Sequence, residues 1–253
     1  MGRDLNHIVR MQHVFKTYRQ GKVDVHAVND VSLDIEAGDF AVLCGPSGSG
    51  KTSILNLIGG LDVPSSGSIR VDDVDLSTLD NTELSRVRKN RIGFVFQAYN
   101  LIPVMTAYEN AGFVLNLQGV AEAECRERVM ETLKAVGLEG LENRRPDEMS
   151  GGQQQRVAIA RAIVTNPAIV LADEPTANVD SHTAEALLDM MQHLNREHGI
   201  TFLFSTHDQH VIDRARRIIR LHDGRVESDK TESDKAESDE TEPDKTQPDD
   251  ARR

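Results

Sequence analysis

The sequence lacks any run of about 18 apolar residues, the length a helix needs to cross a hydrocarbon layer. It is poor in cysteine. Cys44 and Cys125 alone are too few for a disulfide framework and point to a reducing compartment. The opening stretch, MGRDLNHIVRMQ, has no apolar core of the kind a secretory signal carries. Positive charge is also in deficit: Lys and Arg number 29 against 41 Asp and Glu, a formal charge of −12. Affinity for DNA or RNA comes largely from Lys and Arg neutralising phosphates. These absences argue against a membrane-spanning chain, a disulfide-stapled secreted module and a nucleic-acid binder. What is present is ordinary for a globular chain: 253 residues, 38% hydrophobic and 28% charged, enough for one large domain or two small ones.

The charge is unevenly placed. From Glu227 the sequence reads ESDKT-ESDKA-ESDET-EPDKT-QPDDA-RR, with 11 acidic and 5 basic residues. That net −6 is half the total, and the stretch holds no large apolar side chain to offset the entropy of ordering. The composition predicts a disordered, acidic, low-complexity tail over 227–253 and a folded domain over 1–226. Such a tail can serve as a docking segment or hold a protein off an anionic surface; composition does not choose between them.

Within the folded part, strands and helices alternate. Phe40–Cys44 is a short continuous apolar run ending at glycine, as a buried strand should be. After Gly50 a helix follows, with Ile54, Leu55 and Ile58 on one face and Gly59–Gly60 as its stop. Ile92–Phe96, Ala168–Ala172 and Thr201–Ser205 are three more buried strands. Cys125, Val129, Leu133 and Val136 recur at helical spacing, as do Ala184, Leu187, Met191 and Leu194. The alternation predicts an α/β fold, a mostly parallel sheet covered on both faces with ligands at the carboxyl ends of its strands. Residues from about 100 to 166 break the strand rhythm and read as an inserted helical subdomain.

The strongest signal is Gly45-Pro46-Ser47-Gly48-Ser49-Gly50-Lys51-Thr52, which matches GxxxxGK[ST] between a buried strand and a helix. Its glycines let backbone N–H groups approach phosphate oxygens, and the helix dipole adds positive potential. Lys51 reaches the β- and γ-phosphates in this motif, and the Thr52 hydroxyl coordinates Mg²⁺. The pattern predicts binding of a nucleoside triphosphate. Ile169-Val170-Leu171-Ala172-Asp173-Glu174 ends a strand in two carboxylates pointing different ways. Beside a phosphate loop, Asp173 suits a Mg²⁺ shell, and Glu174 suits the polarising of an attacking water.

Met149-Ser150-Gly151-Gly152-Gln153 opens a second helix. Ser150 can cap it, and the bare glycine N–H groups can also bind an anion. One chain has little use for two such ends on one γ-phosphate, unless two chains share nucleotides.

Taken together, these segments resemble the ATP-binding cassette (ABC) ATPases, with motifs in family order across residues 8 to 226. GPSGSGKT resembles Walker A, Gln97 in FVFQAYNL the Q-loop, MSGGQ the signature, IVLADE Walker B, Ala177–Asp180 the D-loop and His207 in FSTHD the switch histidine. Tyr18 in FKTYRQ resembles the aromatic residue that stacks on adenine. VHAVNDVSLDI, LNLIGGLDVPSSG and GFVFQAYNLIPVMTAYENA look most like the LolD/MacB/FtsE branch. Met149 stands where the signature usually has Leu, and Ala177 and Val179 vary the D-loop; neither change removes a polar group the chemistry needs.

The resemblance implies a P-loop NTPase core with an N-terminal antiparallel β subdomain and the helical insert. It implies ATP and Mg²⁺ as ligands, with Gly45 to Ser53, Tyr18 and Gln97 around the nucleotide and Thr52, Gln97 and Asp173 at the metal. Lys51, Glu174 and His207 take the catalytic roles. It also implies a head-to-tail homodimer, each ATP lying against Ser150, Gly151 and Gly152 of the other copy, with Gln153 and Asp180 among the nucleotide-binding residues. A membrane permease would dock near Leu101–Leu117, placing the protein on the cytoplasmic face of the inner membrane. The alternative is a soluble, non-transport ABC ATPase; those carry paired cassettes, coiled coils or basic patches. A P-loop kinase would lack MSGGQ.

Overall fold

The computed structural model describes residues 7–21 and 23–231. These residues form two sheets. The first is antiparallel, in the order β2-β1-β4-β5, built from β1 (His7–Gln20), β2 (Val23–Glu36), β4 (Ser66–Val71) and β5 (Val74–Asp75). The second has six strands in the order β10-β9-β3-β8-β7-β6. Its members are β3 (Phe40–Cys44), β6 (Ile92–Val95), β7 (Ile169–Asp173), β8 (Phe202–Ser205), β9 (Arg217–His222) and β10 (Arg225–Thr231). Neighbours from β9 through β6 are parallel, and β10 pairs antiparallel with β9 at one edge.

The apolar runs read from the sequence are the centre of the second sheet because both of their faces are covered. Phe40, Val42 and Cys44 of β3 pack on one side with Phe202, Phe204, Val170 and Ala172. Ala41 and Leu43 pack on the other with Leu171, Leu203, Ile219 and Leu221. This is the period of two of an extended chain, and each fully buried Leu, Ile or Phe contributes ~1.5–3 kcal/mol. The Phe40 side carries α3 (Ala107–Gln118), α4 (Glu122–Ala135), α5 (Gly151–Ile163) and α6 (Ser181–His198). The Ala41 side carries α1 (Lys51–Ile58), α2 (Asn81–Arg91) and the antiparallel sheet.

Helix starts follow local chemistry. Asp80 with Glu83, Thr106 with Glu109 and Ser150 with Gln153 each form a reciprocal capping box, satisfying amide donors that the first turn cannot pair. Gly119 and Gly199 close α3 and α6 in the left-handed conformation. Among the described residues no helix is long and apolar enough to cross a membrane.

One sequence expectation needs correction. The acidic stretch does not leave the fold at Glu227: β10 runs through Thr231. Arg217 explains the extension, giving Nε and Nη2 to the two carboxylate oxygens of Asp229 at 2.9 and 2.7 Å and Nη1 to Asp39 at 3.1 Å. The remainder of the expected tail, 232–253, lies outside the described residues.

Candidate functional site

Four neighbouring parallel strands, β3, β8, β7 and β6, end at the same edge of the sheet. Their ends and the loops that leave them carry the phosphate-loop residues, His207, Asp173–Glu174 and Gln97. A cleft of about 820 Å³ opens there, lined by residues from the stretch 45–53, by Gln97, Asp173, Glu174, Ser205 and His207, and by Tyr18, Val25, His26 and Ala27 from the antiparallel sheet.

Glycine is required in the loop for a steric reason. Gly45 and Gly50 have φ of 151° and 100°. A Cβ on Gly45 would lie 2.2 Å from the Leu221 carbonyl oxygen, and one on Gly50 2.3 Å from that of Ala27. The backbone therefore passes directly against two strands before α1 begins. Helix α1 has no side-chain cap and no acidic residue in its first turn, so its positive end is not neutralised locally. Lys51 curls back and donates to the Gly45 and Pro46 carbonyls at 2.8 and 3.0 Å. The Ser49 hydroxyl is buried and has no partner.

The two carboxylates at the end of β7 diverge, as strand geometry requires. Asp173 lies 3.5 Å from the Thr52 hydroxyl. Burial, then the neighbouring Glu174 charge, push its carboxyl above the usual range despite hydrogen bonds from Ser205 and Thr52. Glu174 has φ of 46°, a left-handed conformation that costs a non-glycine residue ~1–2 kcal/mol. Its carboxylate is held from both sides: the Thr206 hydroxyl donates to Oε2 at 2.8 Å, and His207 Nδ1 sits 2.6 Å from Oε1. Thr206 is buried and accepts from the Asp208 amide at 3.0 Å. Sequence reading missed Thr206, and only its adjacency to His207 hinted at it.

Tyr18 is braced at the far wall. Its hydroxyl donates to Asp62 Oδ2 at 2.7 Å, and the Lys16 ammonium lies 4.9 Å from its ring centroid while also bonding Asp62. Burial and the Asp62 hydrogen bond raise the phenol above its ordinary value. Burial alone would raise Asp62 too, but the Lys16 and Tyr18 hydrogen bonds outweigh it and hold that carboxyl low.

Ser150, Gly151, Gly152, Gln153 and Asp180 do not line this cleft. Ser150 and Gln153 cap α5 on each other at 2.9 and 3.3 Å, so the capping role predicted for Ser150 is present. Asp180 caps α6 by accepting from the Thr183 amide at 3.0 Å, and the Thr183 hydrogen bonds hold its carboxyl below the usual range.

The Leu101–Leu117 stretch divides. Leu115 is core, and Leu101 and Tyr108 pack against the core. Phe113, Val114 and Leu117 instead line a surface groove of about 620 Å³ with Leu61, Phe94 and Phe96.

The residues fit a magnesium nucleotide. A loop of approachable amides, a lysine, an orphaned buried hydroxyl and a carboxylate unstable in its charged form all call for a phosphate and a cation. Among the described residues no group of three or more His, Cys, Asp or Glu is placed to hold a metal. Asp173, Thr52 and Gln97 line the cleft and could supply the sparse protein shell usual for Mg²⁺.

Comparison with known proteins agrees with this geometry. The family model described as ABC transporter matches residues 28–177. The lipoprotein-releasing system ATP-binding protein LolD of Anaeromyxobacter dehalogenans is 45% identical over 222 residues, covering 87% of this chain and 93% of LolD. The macrolide export ATP-binding/permease protein MacB of Syntrophobacter fumaroxidans is 46% identical over 225 residues, covering 88% of this chain but 31% of MacB. Among solved structures, the dimeric post-hydrolysis state of the ATP-binding cassette MJ0796, bound to ADP and Pi, superposes with a TM-score of 0.80. It is 44% identical, covering 88% of this chain and 98% of that one.

Proposed function

The chain belongs to the ABC transporter family of ATPases, and on that premise we propose that two copies bind ATP between them and drive a permease of the LolD/MacB/FtsE type. The observation that carries the reading is a site that is half built. The cleft gathers Lys51, Thr52, Gln97, Asp173, Glu174 and His207, while Ser150–Gln153 and Asp180 lie outside it at helix N-termini. A second copy, turned head to tail, supplies those residues to each cleft. The relative MJ0796, solved as a dimer, supports this arrangement.

Each side chain then has a task. Gly45, Pro46, Ser47, Gly48, Ser49 and Gly50 wrap the phosphates with amides and the Ser49 hydroxyl, and Lys51 turns from its carbonyl partners to the β- and γ-oxygens. Thr52, Gln97 and Asp173 would hold Mg²⁺, which neutralises charge on the transferring phosphoryl group when bound. Glu174, fixed by Thr206 and His207, accepts the proton of the attacking water. His207 lies beside the γ-phosphate position, Ser53 lines the cleft next to Tyr18, and the Tyr18 ring stacks on adenine. Ser150, Gly151, Gly152 and Gln153 of the opposing copy close the γ-phosphate side, with Asp180 at the seam.

Permease docking belongs to the groove of Phe113, Val114 and Leu117, within the 101–117 stretch; Leu101 and Tyr108 of the same stretch pack against the core. A helical cytoplasmic segment presenting apolar side chains suits such a groove. MacB, whose name joins ATP-binding and permease functions in one chain, supports a permease partner, and with such a partner this protein works on the cytoplasmic face of the inner membrane. Lipoprotein release, efflux and mechanical transmission to the cell wall are the processes this branch serves.

Glu174→Gln tests the reading. The amide keeps the shape but takes no proton, so ATP-bound dimer should accumulate on size-exclusion chromatography. Normal turnover in that variant, or a monomer with nucleotide bound, would remove Glu174 from its role.

A further inference from the structure

A hydrogen-bonded bridge joins the Gln97 loop to the Ala177–Asp180 loop. We propose that the Tyr99 hydroxyl is a positioning group that ties the Gln97 loop, the Ala177–Asp180 loop and the first turn of α5 into one moving unit. An event at the triphosphate cleft is thereby carried to the Ser150 surface that serves the other copy. The proposal rests on the two-copy reading.

Tyr99 and Asn100 have φ of 57° and 51°, a conformation that non-glycine residues hold only where the surroundings enforce it. The enforcing groups are visible. Arg161 of α5 donates Nη2 to the Tyr99 carbonyl at 2.8 Å and Nη1 to the Asn100 carbonyl at 2.6 Å. From that backbone the Tyr99 ring reaches the start of the same helix. A Cβ on Gly151 would lie 2.9 Å from the Tyr99 hydroxyl oxygen, so the phenol fills the space that a side chain there would occupy. Gly151 and Arg161 are about 15 Å apart at 1.5 Å per residue, and the loop is therefore gripped near both ends of a rigid helix.

The third partner is Asn178. The Tyr99 hydroxyl donates to the Asn178 carbonyl at 2.9 Å, and Asn178 Nδ2 donates back to the Gln97 carbonyl at 2.9 Å. Two reciprocal hydrogen bonds thus span one gap between the Gln97 and Ala177–Asp180 loops. Asn178 lies two residues before the Asp180 cap of α6. A shift of Gln97 toward or away from a bound phosphate must drag both helix starts, α5 and α6, or break these bonds. A ring that served only as packing would need no hydroxyl.

Tyr99→Phe removes the hydroxyl and keeps the ring. Asn178→Ala removes the return bond, and the double variant removes both. Steady-state ATP turnover should show KM for ATP within about twofold of wild type, with kcat down about tenfold for the loss of a bond that positions the site. The Hill coefficient should fall toward one, and the thermal midpoint should stay close to wild type. The double variant should be no worse than the more severe single one, because both bonds close the same gap. Wild-type kcat and cooperativity in Tyr99→Phe, a rise in KM alone, or additive losses would overturn the proposal. A wild-type chain without cooperativity for ATP would overturn the two-copy reading and this one with it. A cooperative wild type beside an unaltered Tyr99→Phe overturns this one alone.

Discussion

Asp173 shows what the site costs the fold. Burial and the adjacent Glu174 raise its carboxyl pKa in the folded chain, so the folded state binds that proton more tightly than the unfolded one. The associated stability is present below the ordinary carboxylate value and is lost as pH rises through the raised one. At neutral pH the ionised group destabilises the nucleotide-free protein. Asp173→Asn should therefore raise the thermal midpoint at pH 7.5 by about 2 °C, a small gain because the carboxyl is only partly buried and solvent screens its charge. The gain should shrink as pH falls toward 4, and the variant should lose the further stabilisation that wild type takes from ATP with Mg²⁺. Differential scanning fluorimetry across pH checks all three. At this scale the sequence disclosed, by type and spacing, Lys51, Thr52, Asp173, Glu174 and His207, and all five are at the cleft where strand ends should put them. Thr206 escaped notice, and Asn178 was read only as a member of the D-loop, because their partners are far along the chain. A threonine whose hydroxyl meets a glutamate 32 positions away, and an asparagine bonded 81 positions back, have no local signature.

Among the elements, legibility follows burial. β3, β7 and β8 are apolar on both faces and stood out as continuous runs. Helix α2 did not, since only Leu84 and Val87 of its 11 residues are buried; its one local signal is the Asp80/Glu83 capping box. The 14-residue strands β1 and β2 were implied by resemblance alone, because register shifts between Met11 and Lys16 interrupt their alternation. β10 was hidden by composition. Its acidic residues read as solvated until Arg217 supplies a bidentate partner, an arrangement stronger than a single exposed pair. Helix α3 carries a testable division of labour. Leu115 packs inward, whereas Leu117 on the same helix is 57% exposed at the groove edge. Leu117→Glu should leave basal ATP turnover within about twofold, since exposed substitutions away from special features change stability by about 0.5 kcal/mol or less. The same change should abolish co-purification with permease from detergent-solubilised membranes. Loss of turnover together with folding would assign the groove to the core.

For the molecule as a whole, the decisive feature is the separation of two helix N-termini that both suit phosphate. The α1 end is uncapped and opens into the cleft; the α5 end carries Ser150 and lies elsewhere on the surface. Sequence could name both ends, yet the separation between them depends on how the helical insert sits on the sheet, which no local pattern encodes. If each nucleotide lies between the α1 end of one copy and the α5 end of the other, defects in the two ends complement in trans. Lys51→Ala spoils its own copy's cleft, and Ser150→Phe spoils the cleft of its partner. Neither variant alone should turn over ATP. In a heterodimer both defects fall on one composite site, and the other site is intact. Random assortment of equal amounts leaves about one quarter of all sites whole in a two-fold dimer, and turnover should appear on mixing in proportion. A chain that hydrolysed ATP within its own boundaries would show no such recovery, because every copy in the mixture would carry its own defect.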